Sequence, residues 1–277
     1  MMSNQTITIL GAGNIGAAVI GGLIRGGDVP AENIRATRRS ATALDELAAR
    51  FPGIAALTDN ANAVEGADVV VLAVKPRQAI DVVTEIRPRL APNALVISML
   101  AGITTESIGG ALGSEIAVIR AMPNTPALVD HGATAISAGR FATHEHLSRA
   151  RAIFEAVGIV EIVAEDLMDA VTGLSGSGPA YIYMVIEALT DGGVKQGLPR
   201  PQALRLAAHT VLGAAKLAIE TGKHPAILRD EVTTPGGTAI AAVANLESHG
   251  LRTMLINAVA TATDRSRELS KLAKEEG

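Results

Sequence analysis

The chain has no cysteine and no tryptophan among its 277 residues, and only two tyrosines and three phenylalanines. Without cysteine there is no disulfide, no thiolate metal site and no thiol nucleophile. With so few rings, platforms for stacking unpaired bases are nearly absent. A formal net charge of −4 leaves no basic surplus for a phosphate backbone, so nucleic acid is not an expected ligand. No run approaches the ~18 apolar residues of a membrane span. The opening, MMSNQTITIL, has no basic segment leading into an apolar stretch, so no secretory signal is expected. A soluble cytoplasmic protein without a membrane partner is the expectation. No internal repeat or low-complexity tract stands out. What is present is ample apolar material, 48% hydrophobic against 19% charged residues, enough for a large core and, at this length, two domains.

Residues 1–165 alternate short β-branched runs with amphipathic stretches. Strands are expected at 6–10, 33–37, 53–57, 68–74, 95–100 and 115–121, with two more at 134–137 and 159–163. Several, such as DVVVLAV, are apolar throughout rather than alternating, as parallel strands covered on both faces should be. Helices are expected at 15–25, 41–50, 78–90 and 104–112. This βαβ rhythm predicts an α/β fold with a Rossmann-type, doubly wound, mostly parallel sheet. After Glu165 the strands stop, and residues 166–277 read as an all-α domain. Long helices there end at glycines, and prolines at 199 and 201 suit a first turn. The last helix aligns Leu251, Met254, Leu255, Ala258, Ala262, Leu269 and Leu272 along one stripe. So apolar a helical domain predicts self-association, a compact monomeric bundle being the alternative.

ILGAGNIG places Gly11, Gly13 and Gly16 in G-x-G-x-x-G spacing, after a strand and at the start of a helix. The first glycine permits the tight turn, the second lets backbone approach a pyrophosphate, and the third lets helix pack on strand. Asn14 and Ile15 supply helix N-terminal amides. An NAD site would end the second strand in Asp or Glu; here that corner is Thr37, Arg38 and Arg39, with no acid before Asp45. Two guanidinium groups suit a 2′-phosphate, so NADP(H) is preferred, with NAD(H) the alternative. Lys75, in LAVKP, follows the fourth strand at the edge where ligands of such sheets sit.

Three more loops are rich in Gly, Pro, Ser and Thr: RAMPNTPA (120–127), TGLSGSGPAY (172–181) and VTTPGGTAI (232–240). Two open onto apolar helices whose first amides form an anion pocket, and TTPGG before TAIAAVANLE fits a small carboxylate. Read as plain turns, the same loops would be structural only. No obvious catalytic His or Lys lies in them. His131 reads as a surface residue, and His144 with His146 lacks a third ligand, so no metal site is expected.

Together, ILGAGNIGAAVIGGLI, AVKP, RAMPNTPA, GLSGSGPAY, GLPR and VTTPGGTAIAAVANLE, in that order, resemble the Δ1-pyrroline-5-carboxylate reductases over essentially the whole chain. The resemblance implies NAD(P)H-dependent reduction of pyrroline-5-carboxylate to L-proline, the last biosynthetic step, by hydride transfer to the C=N carbon. It also implies dimers through the helical domain, often assembled further into decamers. It places the dinucleotide on Gly11, Gly13, Asn14, Ile15, Gly16, Thr37, Arg38, Arg39, Asn60, Ala73, Val74, Lys75, Pro76 and Ala101. Substrate falls on Glu165, Glu231, Thr234, Gly237, Thr238 and Ala239. One departure matters: the family's loop runs Pro-Gly-Gly-x-Thr with that threonine near the ring nitrogen, and here the position is Ala239. Thr238, one residue earlier, points about 100° away on a helix.

Two enzymatic rivals fail on the residues. A β-hydroxyacid dehydrogenase would carry its lysine four residues after the last glycine of GSG, where Ile182 stands. A serine hydrolase would need G-x-S-x-G, which GLSGS misses. A reductase of a related cyclic imine, or a non-catalytic NADP-binding redox sensor, remains as the alternative.

Overall fold

Valine and isoleucine runs with no polar alternation require cover on both sides, and a sheet with helices on both faces provides it. The structure, a computed structural model, describes residues 2–113 and 115–275. The strands are β1 (Ile7–Leu10), β2 (Ile34–Thr37), β3 (Ala55–Leu57), β4 (Val69–Leu72), β5 (Leu95–Ser98), β6 (Ala117–Met122), β7 (Gly132–Ala138) and β8 (Gly158–Ile162). They form one sheet in the order β3-β2-β1-β4-β5-β6-β7-β8. All pairs are parallel except β6–β7. The strand order reverses direction beside β1, so the crevice between β1 and β4 is the topological switch point where ligands of such sheets bind.

The helices of this part are α1 (Asn14–Gly26), α2 (Ala41–Arg50), α3 (Asn60–Val64), α4 (Ala79–Ile86), α5 (Thr105–Leu112), α6 (His144–Glu155) and α7 (Met168–Val171). Period-two geometry divides each strand between two cores. Ile7, Ile9, Val69 and Val71 pack with Val19, Leu23, Leu47, Ile153 and Phe154 from α1, α2 and α6. Leu10, Val70 and Leu72 pack with Ala63, Val83 and Ile108 from α3, α4 and α5.

All eight expected strands are present, the longest apolar runs trimmed at their ends; 68–74 becomes Val69–Leu72. The short α3 and the polar α6 were not anticipated. In α6 the first turn is held by a capping box in which Thr143 Oγ1 accepts from the His146 amide and His146 Nδ1 accepts from the Thr143 amide. The role of His146 here is structural.

After α7 the chain widens into a π turn, Thr172–Gly176, and continues as α8 (Gly178–Lys195), α9 (Arg200–Thr221), α10 (Pro225–Glu231), α11 (Thr238–Ser248) and α12 (Leu251–Glu275). Proline stands in the first turn of α9, and Gly222 closes that helix in the left-handed conformation. By packing, residues 1–177 and 260–277 form one compact unit and residues 178–259 a second. The division expected after residue 165 follows the last strand. Packing carries further because buried Met168 and Gly173, and Thr263 and Ser266 of α12, belong with the sheet. In the second unit the described residues bury little beyond Thr190, Ala203 and Ala207, while Ile219, Met184 and Ile256 are 81%, 69% and 67% exposed. Of the expected α12 stripe, the side chain of Leu272 lies outside the described residues. No described helix is long and apolar enough to cross a membrane.

Two glycines face each other where β7 and β8 begin. A Cβ on Gly158, at φ +153, would sit 2.0 Å from the Gly132 carbonyl oxygen. Gly27, at φ +70, has nothing within 4 Å. Gly158→Ala is expected to cost more than about 3 kcal/mol in urea unfolding, against about 1 kcal/mol for Gly27→Ala, where backbone strain acts alone.

Candidate functional site

At the carboxyl end of β1 the chain must turn within one residue, and Gly11 does so at φ +77. A Cβ there would lie 2.7 Å from Val74 Cγ1 and 3.0 Å from Val74 backbone, so the position admits glycine alone. Gly16 is nearly as tight, its virtual Cβ 3.1 Å from Ile9 Cγ2, and this closeness seats α1 on β1. Gly13 differs. Its Cβ would meet nothing nearer than the Gly11 carbonyl at 3.8 Å, which leaves the open approach that a bulky anion needs. Gly13 is also the N-cap of α1 and gives no side-chain cap, so Asn14, Ile15 and Gly16 begin the helix with amides free of intrahelical partners.

The loop is held from β2. The Thr37 carbonyl accepts the amides of Gly11 at 3.1 Å and Ala12 at 2.9 Å, and its Oγ1 accepts from Gly11 at 3.2 Å. The same hydroxyl donates to Asn60 Oδ1 at 2.7 Å, and Asn60 donates on to Glu85 at 3.0 Å. Thr37 is buried, so its part is to fix the loop. Arg38 and Arg39 divide. Arg38 donates from Nε to the Ala12 carbonyl and from Nη1 to the Ala43 carbonyl at 3.0 Å, bridging the glycine loop to the first turn of α2. Arg39 is exposed and lies beside the Gln78 side-chain amide. Ala73 donates to the Leu10 carbonyl at 2.8 Å, bringing Val74, Lys75 and Pro76 beside the loop. Lys75 is exposed, and Ala101 follows β5 just before Gly102 at φ +78. The structure thus gathers the expected dinucleotide residues along one edge, the carboxyl ends of β1, β2, β4 and β5.

In the second unit, Thr234–Gly237 forms a turn closed by the Gly237 amide on the Thr234 carbonyl at 2.9 Å. Pro235 and Gly236, at φ +70, occupy its two central places, the chemistry of a type II turn. Gly237 then caps α11 with no side chain, and the amides of Thr238 and Ala239 open that helix. Glu231, at the end of α10, pairs with Lys223 at 2.5 Å.

Glu165 belongs to the first unit and is engaged there. Its two carboxylate oxygens accept the Thr105 amide at 2.7 Å and the Thr105 hydroxyl at 2.6 Å, capping α5 from outside. It also lies 3.7 Å from Arg120, whose side chain is only 5% exposed. Asp169 stands 4.0 Å from the other arm of Arg120 and accepts from Ser266 Oγ at 2.6 Å. Arg120, Glu165 and Asp169 line a cavity of about 340 Å³ together with Thr104 and Ser270. Sequence reasoning passed over Arg120, Asp169 and Asn124. The available signal was an arginine inside EIAVIRA, a strand otherwise apolar on both faces, where an unpaired charge would be prohibitive.

Comparison with known proteins adds three findings. The profile of the pyrroline-5-carboxylate reductase dimerisation family matches residues 165–269, and that of the NADP oxidoreductase, coenzyme F420-dependent, family matches residues 6–102. The pyrroline-5-carboxylate reductase of Methanosarcina acetivorans is 47% identical over 270 residues, 98% of this chain and all of that protein. Among solved structures, the pyrroline-5-carboxylate reductase of Coxiella burnetii superposes with a TM-score of 0.90 at 40% identity, covering 96% of this chain and 98% of the other. The Plasmodium falciparum pyrroline carboxylate reductase, solved with NADP bound, gives 0.87 at 28% identity, covering 98% and 100%.

Removing Glu165 leaves the buried Arg120 guanidinium with Asp169 alone and takes the acceptor from the Thr105 amide. Glu165→Ala should therefore lower the unfolding free energy by about 3 kcal/mol in urea titrations. Glu65→Ala, which breaks the exposed pair with Arg89, should cost less than about 1 kcal/mol.

Proposed function

The chain belongs to the pyrroline-5-carboxylate reductase family, and from that premise we infer that it reduces Δ1-pyrroline-5-carboxylate to L-proline with a reduced nicotinamide dinucleotide. The observation that carries the reading is the conjunction, on a chain 47% identical to such a reductase along its length, of a glycine loop open at Gly13 with a side-chain-free cap at Gly237. A chain built only for binding NADP would have no need of the second feature.

The residues present fit the dinucleotide. The amides of Asn14, Ile15 and Gly16 face an approach that no side chain blocks, and they suit a pyrophosphate. Arg39 and the first turn of α2 suit a 2′-phosphate, and no carboxylate stands at the end of β2 to repel it. We therefore assign NADP(H) as the preferred cofactor. When bound, the reduced nicotinamide supplies the hydride for the C=N carbon.

The chain's own work is binding and orientation. Thr234, Gly237, Thr238 and Ala239 form the cradle for the substrate carboxylate, with the backbone amides at the start of α11 as donors. Glu231 and Glu165 border the substrate, and Glu165 acts while holding Thr105. A protonated cyclic imine is already electrophilic, so no strong protein acid is required. Placement within roughly 3–3.5 Å and exclusion of water suffice. Residues 1–165 hold the dinucleotide in this reading; residues 166–277 hold the substrate and build a homodimer, assembled further into a decamer, in the cytoplasm. The exposed Met184, Ile219 and Ile256 are the kind of surface such assembly covers.

The test is the initial rate of NADPH oxidation with pyrroline-5-carboxylate, its 2-carboxylate isomer and the six-membered analogue. Fastest turnover of the 5-carboxylate is expected; turnover of the analogues alone would transfer the reading to another imine reductase. Arg39→Ala should raise KM for NADPH at least about tenfold and leave KM for NADH within about twofold. Arg38→Ala, which frees the Ala12 carbonyl, should weaken both.

Ala239→Thr restores the hydroxyl the family places near the ring nitrogen. A gain of about 1 kcal/mol should lower KM for the imine roughly fivefold with kcat little changed.

A further inference from the structure

One residue, Ser177, separates the π turn Thr172–Gly176 from α8, so the helical ladder is interrupted there. The π turn is closed by the Ser177 amide on the Thr172 carbonyl at 2.8 Å. Ser175 lies in that turn, and four residues on stands Pro179, which has no N–H to give. The Ser175 carbonyl receives no amide from that position, and a part-buried carbonyl left without a donor is destabilising.

The bond it does receive comes from 51 residues away. Asn124 Nδ2 donates to the Ser175 carbonyl at 3.0 Å. The other end of the same amide accepts the Ala133 N–H at 2.9 Å, so the side chain is oriented by both partners. Although Asn124 precedes the short 3-10 turn Thr125–Val129, its side chain does not cap that turn. Alongside, a Cβ on Gly176 would lie 2.9 Å from Met122 Cε, so the two segments interlock where one has no side chain. The asparagine of one motif thus satisfies a carbonyl of the other.

Position gives this brace its meaning. Asn124 lies just past the carboxyl end of β6, the next strand after β1, β4 and β5 in the sheet. With the 2′-phosphate corner at β2 and the pyrophosphate loop at β1, the nicotinamide end of a dinucleotide falls toward β4–β6. We propose that Asn124 is a positioning residue for the reduction: its amide locks residues 172–177 to the loop after β6 and sets the wall of the nicotinamide end. The proposal rests on the reductase reading above.

Asn124→Asp separates the two bonds, because it keeps an oxygen for Ala133 while setting a carboxylate against the Ser175 carbonyl. With pyrroline-5-carboxylate, kcat should fall at least about tenfold while KM for NADPH changes less than about twofold. Val129→Ala, at an exposed position on the same connection, should cost less than about threefold. Amide hydrogen exchange on the cofactor-free protein gives a second readout. Residues 172–177 should lose protection in Asn124→Asp and keep it in Val129→Ala, with the strand amides unchanged. Asn124→Ala, which adds no charge, carries the same comparison should the aspartate variant not fold. Equal loss in Asn124→Asp and Val129→Ala, unchanged exchange at 172–177, or a KM for NADPH that rises as kcat falls would each overturn the proposal. A wild-type protein inert toward the imine would instead sink the reductase reading, and the exchange comparison would still decide whether the brace exists.

Discussion

Gly11 can carry no side chain, and the cofactor edge is organised around that fact. Its virtual Cβ overlaps Val74, so β1 and the segment after β4 approach as closely as backbone allows. That approach lets Ala73 donate to Leu10 and lets the Thr37 carbonyl take two amides of the loop at once. Were the loop looser, the first amides of α1 would still exist, but they would not converge on one point. An anion site made of backbone is only as good as the rigidity of the turn that presents it. Thr37 supplies that rigidity from β2, and Asn60 and Glu85 hold Thr37 in turn.

The same economy of side chains recurs at Gly237. There a type II turn delivers the start of α11 without a capping residue. A serine or aspartate at that N-cap would satisfy the helix internally and compete with any carboxylate for the same amides. With glycine in its place the helix loses only a few tenths of a kcal/mol, roughly, and the donors are left for a ligand. Both ends of the proposed reaction are thus held by main chain. This is consistent with a substrate whose reactive carbon is already electrophilic.

Much of this was legible in the residues. The βαβ rhythm located all eight strands, and G-x-G-x-x-G with basic residues at 38 and 39 located the cofactor edge, because glycine spacing and charge at a strand end have local causes. What stayed hidden has non-local causes. Nothing near Arg38 in the chain shows that its guanidinium would bridge Ala12 and Ala43, leaving Arg39 the freer cation. The polar stretch HEHLSRARAIFE gave weak helical periodicity and was missed, although its cap at Thr143 is local. The division of the chain by packing, with the end of α12 returning to the sheet, depends on contacts such as Ser266 with Asp169, 97 residues apart.

Arg120 shows why such contacts matter to chemistry beyond themselves. A guanidinium with 5% of its side chain exposed is costly unless opposite charges lie nearby. Glu165 and Asp169 supply them, and each is tied to another element, Glu165 to the start of α5 and Asp169 to α12. Moving Arg120 would leave two carboxylates without their cation, and moving either carboxylate would leave the buried guanidinium with only one, so the cluster favours one arrangement of β6, α5, α7 and α12 over its neighbours. Asn124 stands four residues beyond Arg120, on the same connection leaving β6. A loop proposed to border the hydride donor to within a fraction of an ångström needs a fixed origin, and this buried charge cluster provides it. The polar residues in these two motifs therefore serve geometry first, and their influence on the reaction follows from that.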